Sequence, residues 1–383
     1  MKDFNFKIPQ EITFGLGSLK KLPDILKNNH IDNTMLVSDH NLEAIGMVKK
    51  VTDILDAGDV KYTVFLDVIP NPTIGVVEAA AAQYKENGCN SIIALGGGGP
   101  MDVSKAVGCL AKHGGKITDY VGVENVPGPI VPLVAIPTTA GTGSEVTASS
   151  VITDEETHYK FSVISFELLP KYAVVDPELI MTAPFKVAAA CGVDALIHAM
   201  EAYLSTDHTP FSDAFAEKAM ELIGKNLRRF VANRHDEEAA CAMMCGSTFA
   251  GIAFAWAKLG NVHAMSHPVS GFFGVAHGVA NAVLLPTVVE YNALADKEGR
   301  YERIYNYIRE DTAPCTNFTP DMLTAEIRKL NRQVGIPENL RAVGVTEDKI
   351  EAMAIDAMKT ANVKVNPRAT NLQDVIDLYK KAY

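Results

Sequence analysis

The 383-residue chain is predicted to have two parts, an α/β half built on a parallel sheet over residues 1–184 and an all-helical half over residues 185–383. Three observations predict it. Short β-rich runs alternate with helical stretches as far as Asp176, the pattern of parallel strands joined by helices. From Pro184 onward the apolar positions recur almost throughout with helical period. The chain is also longer than one core usually serves, at about 150 residues per domain.

The elements follow in order. Glu11-Ile-Thr-Phe reads as a strand ending in a glycine turn, followed by a helix through Leu26. Thr34-Met-Leu-Val-Ser-Asp and Lys61-Tyr-Thr-Val-Phe-Leu-Asp are the next strands, with a helix between them. Pro70-Asn-Pro-Thr is a rigid turn before a helix spanning Thr73 to Gly88. Ser91-Ile-Ile-Ala-Leu is fully apolar, as a strand buried on both faces should be. A Gly96-Gly-Gly-Gly loop then leads to a helix expected to open with Pro100 at its first position. Val131–Pro137 is another buried strand, Val146–Asp154 and Tyr159–Ile164 read as a pair, and Lys171–Leu179 closes the sheet-forming half. Beyond it the expected helices are Phe185–Tyr203, Pro210–Phe230, Asp236–Trp256, Val262–Phe272, Val279–Asn292, Arg300–Tyr307, Asp321–Val334, Glu347–Thr360 and Asn371–Lys381.

Composition is that of a soluble globular protein, and a net charge of −11 argues against a nucleic-acid partner or an anionic membrane surface. The first residues, Met1-Lys-Asp-Phe-Asn-Phe-Lys, carry no apolar stretch of the kind a secretory signal needs, so a cytoplasmic location is expected. The uncharged run 259–289 is long enough to span a bilayer. It holds Pro268, Pro286, Asn281 and three histidines, which hydrocarbon penalises, so it reads as protein interior. Cys89, Cys109, Cys191, Cys241, Cys245 and Cys315 show no Cys-x-x-Cys spacing and are expected to be reduced.

That uncharged run and the Phe185–Tyr203 helix hold the densest chemistry. Asp194 and His198 lie four residues apart, on one face of a helix. His263, His267 and His277 follow within a segment poor in charge. A lone histidine on an apolar helix face is usually a hydrogen-bonded core residue, but several buried imidazoles with a carboxylate all need partners, and one divalent cation satisfies them together. Carboxylate and imidazole suit Fe(II), Zn(II) or Mn(II), and ligand type does not choose among them. Spacing likewise leaves His267 open as ligand or as proton relay.

The α/β half offers a phosphate site. Gly96 to Gly99, between a strand and a helix, let backbone N–H groups approach a pyrophosphate, and the helix N-terminus adds a favourable dipole. Pro100 and Met101 continue that loop into the helix, and Asp102 in the first turn is expected to brace it. The order is neither Gly-x-Gly-x-x-Gly nor a P-loop, and a tight connection is the plain alternative. Thr138, Thr139 and Thr142 form a second hydroxyl-rich loop, and Lys160 is the cation placed after it. Asp39, at the carboxyl end of a strand, can take the hydroxyls of a cofactor ribose or simply cap the next helix. Asn71 similarly contacts a ligand or caps. A dinucleotide loop together with a metal cluster implies hydride transfer between an alcohol and an aldehyde.

These residues carry a resemblance over essentially the whole chain. Phe14-Gly-Leu-Gly, Pro70-Asn-Pro-Thr, Gly96-Gly-Gly-Gly-Pro-Met-Asp, Thr138-Thr-Ala-Gly-Thr, Gly192-Val-Asp-Ala-Leu-Ile-His, Val262-His-Ala-Met-Ser-His-Pro and His277-Gly-Val-Ala-Asn resemble the iron-dependent (group III) alcohol dehydrogenases. The resemblance implies a dehydroquinate synthase-like fold, with Asp194, His198, His263 and His277 binding the metal, usually Fe(II), and His267 lining the active site. It also implies that Asp39, Asn71, Gly97, Gly98, Gly99, Pro100, Met101, Thr138, Thr139, Val151, Lys160 and Leu179 bind the dinucleotide. An acid at Asp39 goes in that family with NAD, and the family implies at least a homodimer through its N-terminal strands. The branch most similar handles lactaldehyde and 1,2-propanediol, with the 1,3-propanediol branch nearly as similar. The chain departs from the family pattern in Gly99 for serine, in Ala255-Trp256 where asparagines are common, and in Thr287 where histidine is frequent. Trp256, with Phe254 and Leu259, is expected to narrow the substrate pocket. The competing readings are a zinc polyol dehydrogenase of glycerol dehydrogenase type, a metal-dependent hydrolase or lyase of a phosphorylated substrate, and a non-catalytic binding protein.

Overall fold

The computed structural model describes residues 4, 6–9, 11–157, 159–311, 313 and 315–383, so most of the extreme N-terminal heptad read above lies outside the described residues. Packing divides the chain into two compact units, one of Lys7–Thr139 with Gly143–Ile180, the other of Met1–Phe6, Ala140–Thr142 and Met181–Tyr383.

The first unit is a parallel α/β sheet. Its strands are β1 (Glu11–Phe14), β2 (Asn33–Val37), β3 (Lys61–Phe65), β4 (Ser91–Gly96), the short β5 (Gly122–Val123), β6 (Leu133–Pro137), β7 (Ser149–Asp154), β8 (Tyr159–Ile164) and β9 (Tyr172–Val175). Six of them pair in parallel in the order β1-β9-β6-β4-β2-β3, and β5-β8-β7 form a small separate sheet. Alternate side chains serve opposite faces. Met35, Val37, Ile92 and Ala94 pack with Val77, Val103 and Val107 of the Ile74–Glu86 and Gly98–His113 helices. Leu36, Ile93 and Leu95 pack on the other face with Leu22, Leu26, Val51 and Leu55. Cover on both faces is why β4 and β6 are buried at every position and apolar almost throughout.

The strand order also fixes where a ligand goes. From β2 the chain steps outward to β3, then returns past β2 and runs the other way through β4, β6 and β9. Such a reversal opens a crevice outside the carboxyl ends of β2 and β4.

The second unit is helical. Its longer helices are Phe185–Leu204, Pro210–Ala232, Glu237–Ala257, Asn261–Phe273, His277–Asn292, Arg300–Ile308, Pro320–Gln333, Ile350–Ala357 and Leu372–Ala382, close to the expected spans except that Ile350–Ala357 is shorter at both ends than the expected Glu347–Thr360. The caps are chemical ones: Thr209, Asp236 and Asn371 each accept a backbone N–H of the helix they open. Two helices, Phe185–Leu204 and Glu237–Ala257, are long and apolar enough to cross a membrane by composition, yet 83% and 61% of their most apolar windows are buried inside the protein. They are core helices, packed on one another and on Pro210–Ala232. The uncharged run 259–289 is split into two helices by a break at residues 274–276, and most of it is interior.

Candidate functional site

In the α/β unit the expected nucleotide residues collect at one edge of the sheet. Because all six strands are parallel, the segments after β2, β3, β4, β6 and β9 leave from the same side. Those segments hold Asp39, Asn71, Gly97–Gly99, Thr138–Thr139 and Leu179. Asp39 realises its plainer reading: one carboxylate oxygen accepts the N–H groups of Asn41 and Leu42, at 2.9 and 3.0 Å, and caps the His40–Ala44 helix. It stands at the carboxyl end of β2, on one side of the crevice whose other side is the glycine turn after β4.

That turn is tighter than the sequence suggests. The helix begins at Gly98, with Gly97 as its N-cap, so Pro100 is the third helical residue rather than the first. Proline is tolerated there because first-turn N–H groups have no intrahelical acceptor. Gly96 has φ of 152°, and a Cβ on it would lie 2.5 Å from Pro100 Cγ, so the bend requires glycine. Gly97, Gly98 and Gly99 are partly exposed at the helix N-terminus, whereas Met101 turns its side chain into the core. Thr138 is buried, its N–H held by Gly96 O at 3.1 Å. The buried Thr139 hydroxyl has no partner, and it would lie 3.3 Å from a Cβ on Gly97. An unsatisfied hydroxyl beside glycines at a helix N-terminus fits a phosphate-bearing cofactor. Val151 is exposed on β7, and Leu179 is buried in the apolar layer below the edge.

Lys160 and Asn71 meet, Nζ donating to Oδ1 at 2.7 Å, and Asn71 holds the left-handed conformation with φ of 57°. Asp102 does not brace the glycine turn. Its carboxylate accepts Val151 N–H, and its carbonyl accepts the Ser150 hydroxyl at 2.8 Å, so it anchors the β7 segment. A second cation was not anticipated: Lys105 is fully buried and donates to Ser144 Oγ, Thr147 Oγ1 and Ser149 O. Burial pushes Asp102 up and Lys105 down from their ordinary values, and each opposes the shift of the other.

In the helical unit the metal candidates do converge. One ligand atom each from Asp194, His263 and His277 lies within 4.8 Å of the others. Asp194 comes from the middle of the Phe185–Leu204 helix, His263 from the third position of Asn261–Phe273, and His277 opens the next helix. Gly278 lets that last helix in: a Cβ there would fall 2.4 Å from Ala190 O and 3.3 Å from Asp194 Cβ. His198 lies outside the three-atom group but stacks on His263 with ring centroids 4.6 Å apart, and its Nδ1 donates to Gly141 O at 3.1 Å. Its Nε2 is thereby the nitrogen left with a lone pair. Thr142 belongs to the same short segment as Gly141, packed with the helical unit rather than with the other threonines. His267 is exposed, its ring 5.5 Å from that of His277.

Two residues missed in the sequence complete the arrangement. Asn281 Nδ2 donates to Asp194 Oδ1 at 2.6 Å and lies 3.1 Å from Nε2 of both His263 and His277. It is one helical turn after His277, a spacing that was legible. Glu201, one turn after His198, is buried and meets His263 Nδ1 at 2.5 Å. Burial pushes its carboxyl up to about 7, against the backbone N–H groups of Gly260, Val262 and His263, which pull it down.

The electrostatics suit a cation. Burial raises the Asp194 carboxyl, but His198, His277, His263 and Asn281 more than offset this and hold it below its ordinary value. Burial, with the neighbouring imidazoles, drives His263 well below its own. A carboxylate that stays ionised beside a buried imidazole whose protonated form is disfavoured is a donor pair that suits a borderline divalent metal. Phe254 stacks on His198 at 4.4 Å, giving the group an apolar neighbour. Trp256 lies on the same helix. Two residues further along the helix it stacks on Phe6 at 5.1 Å, beside Phe215.

Comparison with known proteins places both halves of the chain in one family. Residues 9–177 match the model of iron-containing alcohol dehydrogenases, and residues 188–383 match that of the C-terminal part of the Fe-containing alcohol dehydrogenase family. The chain belongs to the iron-containing alcohol dehydrogenase family. It is 36% identical to the NAD-dependent methanol dehydrogenase of Bacillus methanolicus, across 99% of each chain. It is 37% identical to the lactaldehyde reductase of Escherichia coli K12, across 97% of each. Among solved structures, a 1,3-propanediol oxidoreductase superposes with a TM-score of 0.96 at 37% identity, over 100% of both chains.

Proposed function

We propose that this alcohol dehydrogenase interconverts a short-chain primary alcohol or diol with its aldehyde, of the lactaldehyde/1,2-propanediol or 1,3-propanediol type, using NAD and iron. The observation that carries the reading is the convergence of Asp194, His263 and His277 on one point, with His198 stacked beside them. Bound there, iron would lower the pKa of an alcohol hydroxyl and polarise an aldehyde, while NAD exchanges the hydride. Asp194, His198, His263 and His277 are the proposed metal ligands. His267, exposed and next to His277, is proposed to pass the alcohol proton to water. The Phe254 ring against His198 favours a small substrate.

On the nucleotide side, Gly97, Gly98, Gly99, Pro100 and Met101 are proposed to present backbone to the pyrophosphate, with Thr138, Thr139 and Thr142 supplying hydroxyls. Asp39 takes the ribose hydroxyls with the oxygen its cap leaves free, and Asn71, Lys160, Val151 and Leu179 complete the pocket. Residues 1–184 and 185–383 are then the nucleotide and metal domains. A cytoplasmic homodimer is part of the same reading. Among the described residues β1 pairs only with β9, which leaves a sheet edge beside exposed Ile8 and Phe14 for a second copy to cover.

The decisive assay is anaerobic. The protein reconstituted with Fe(II) should oxidise NADH with lactaldehyde or 3-hydroxypropanal, and His263→Ala should abolish turnover while still binding NADH. Full activity in a rigorously demetallated sample would refute the reading.

A further inference from the structure

We propose that Glu201 is the positioning residue of the metal site. By accepting the proton of His263 Nδ1 it fixes which nitrogen of that ring faces Asp194 and His277. The inference rests on the proposed metal reading and concerns a residue outside the ligand set.

Three observations meet at this carboxylate. Asp194, His198 and Glu201 follow at spacings of four and three on one helix, so a single helical face carries the acid, the stacked imidazole and the second acid. Glu201 Oε2 lies 2.5 Å from His263 Nδ1, while the other nitrogen of that ring, Nε2, is 3.8 Å from Asp194 Oδ1. Glu201 also caps the His263 helix, Oε1 accepting Val262 N–H at 2.7 Å and Oε2 accepting His263 N–H at 3.4 Å, with Gly260 N–H a further donor.

The donor count bears on the proton positions. Three backbone N–H groups donate to this carboxyl, and its remaining lone-pair site faces the ring nitrogen at 2.5 Å, where the proposal places the Nδ1 proton. With Nδ1 protonated, Nε2 carries the lone pair, turned toward Asn281 Nδ2 at 3.1 Å and toward Asp194, and the two-sided contact holds the ring. Gly260 is part of the fit, because a Cβ there would stand 3.0 Å from Glu201 Oε1. A carboxylate behind a ligating imidazole raises its basicity and fixes its orientation, and losing such a partner typically costs roughly 10- to 100-fold in metal affinity.

Co(II), whose visible absorption reports ligand geometry, is the probe. Wild type, Glu201→Gln, Glu201→Leu and His263→Ala are compared for Co(II) affinity by chelator competition, Co(II) spectrum, NADH affinity and cooperative melting. Glu201→Gln keeps the volume and one acceptor oxygen. It should bind Co(II) roughly 10- to 100-fold more weakly, with shifted bands and unchanged NADH affinity, and Glu201→Leu should be weaker still. Wild-type affinity and spectrum in both Glu201 variants, with His263→Ala defective, would overturn the inference alone. Wild-type affinity in His263→Ala would overturn the metal reading beneath it. A measurement needing no variant stands beside these: in the zinc-loaded wild type, the 15N-histidine spectrum should show His263 protonated at Nδ1. Protonation at Nε2 would overturn the proposal.

Discussion

Lys160 Nζ donates to Asn71 Oδ1 at 2.7 Å, joining β8 to the turn after β3. Each residue had been a separate candidate for the nucleotide, and the contact makes them one device. The lysine orients an asparagine held in a left-handed conformation, and burial lowers the pKa of the ammonium. Lys160→Ala and Asn71→Ala should each weaken NADH binding, and the double variant should lose less than the sum. A coupling of about 0.5–1 kcal/mol is expected for partly exposed partners, near the low end for residues in contact. Fluorescence titration of the four proteins measures it, and strict additivity would mean that the two act independently.

Asp39 has two tasks that its substitutions separate. One oxygen caps the His40–Ala44 helix. Its charge, set beside the ribose as proposed, would repel a 2′-phosphate. Asp39→Gly should relax the preference against NADP, and glycine at an N-cap costs only a few tenths of a kcal/mol. Asp39→Asn keeps the cap and removes the charge, so it should move the NADP-to-NAD ratio of kcat/KM in the same direction without altering Tm. A ratio that moves in neither variant would detach the residue from the ribose.

What the sequence disclosed was what local periodicity can carry. Helix spans in the second half were legible because caps such as Thr209 and Asn371 and stops such as Gly335 are local chemistry. The insertion of β9 between β1 and β6 was not, since strand order depends on pairing between residues far apart in the chain. At the site, the histidines stood out against an uncharged background. Glu201 and Asn281 escaped notice although each stands one helical turn from a histidine already marked. A glutamate or an asparagine on a helix is normally a surface residue, and only burial reveals its task. Lys105 was hidden for the same reason. The stacking of Trp256 on Phe6 was not legible either, because it joins segments far apart in the chain.

Gly278 allows two helices to touch through backbone alone. Gly278→Ala places a methyl group where Ala190 O would be 2.4 Å away, so the His277 helix must retreat from the one that carries Asp194. A loss of about 1–3 kcal/mol is expected from overpacking of this kind. Bound iron should fall along with it, because His277 moves with its helix. Urea denaturation and metal analysis test both effects, and wild-type stability with full metal content would show that the crossing is looser than drawn.

His40 provides a pH test on the nucleotide side. Its Nδ1 lies 2.9 Å from Glu43 Oε2 and its Nε2 3.2 Å from Asp67 Oδ1, so both contacts are full hydrogen bonds only for the protonated ring. The hydrogen bonds to Glu43 and then Asp67 raise its pKa above the ordinary 6.5. A pKa raised on folding contributes stability that is fully present below the ordinary value and is lost as pH rises through the raised one. The tie between the segments after β2 and β3, which Asp39 and Asp67 also bridge, should therefore loosen on the alkaline side of 6.5 and not on the acid side. NMR titration of His40 should give a midpoint above 6.5 that falls in Glu43→Gln and in Asp67→Asn. Because all three side chains face water, roughly 1 M salt should shrink the shift. A midpoint at or below the ordinary value at low salt would mean that the bridge does not form.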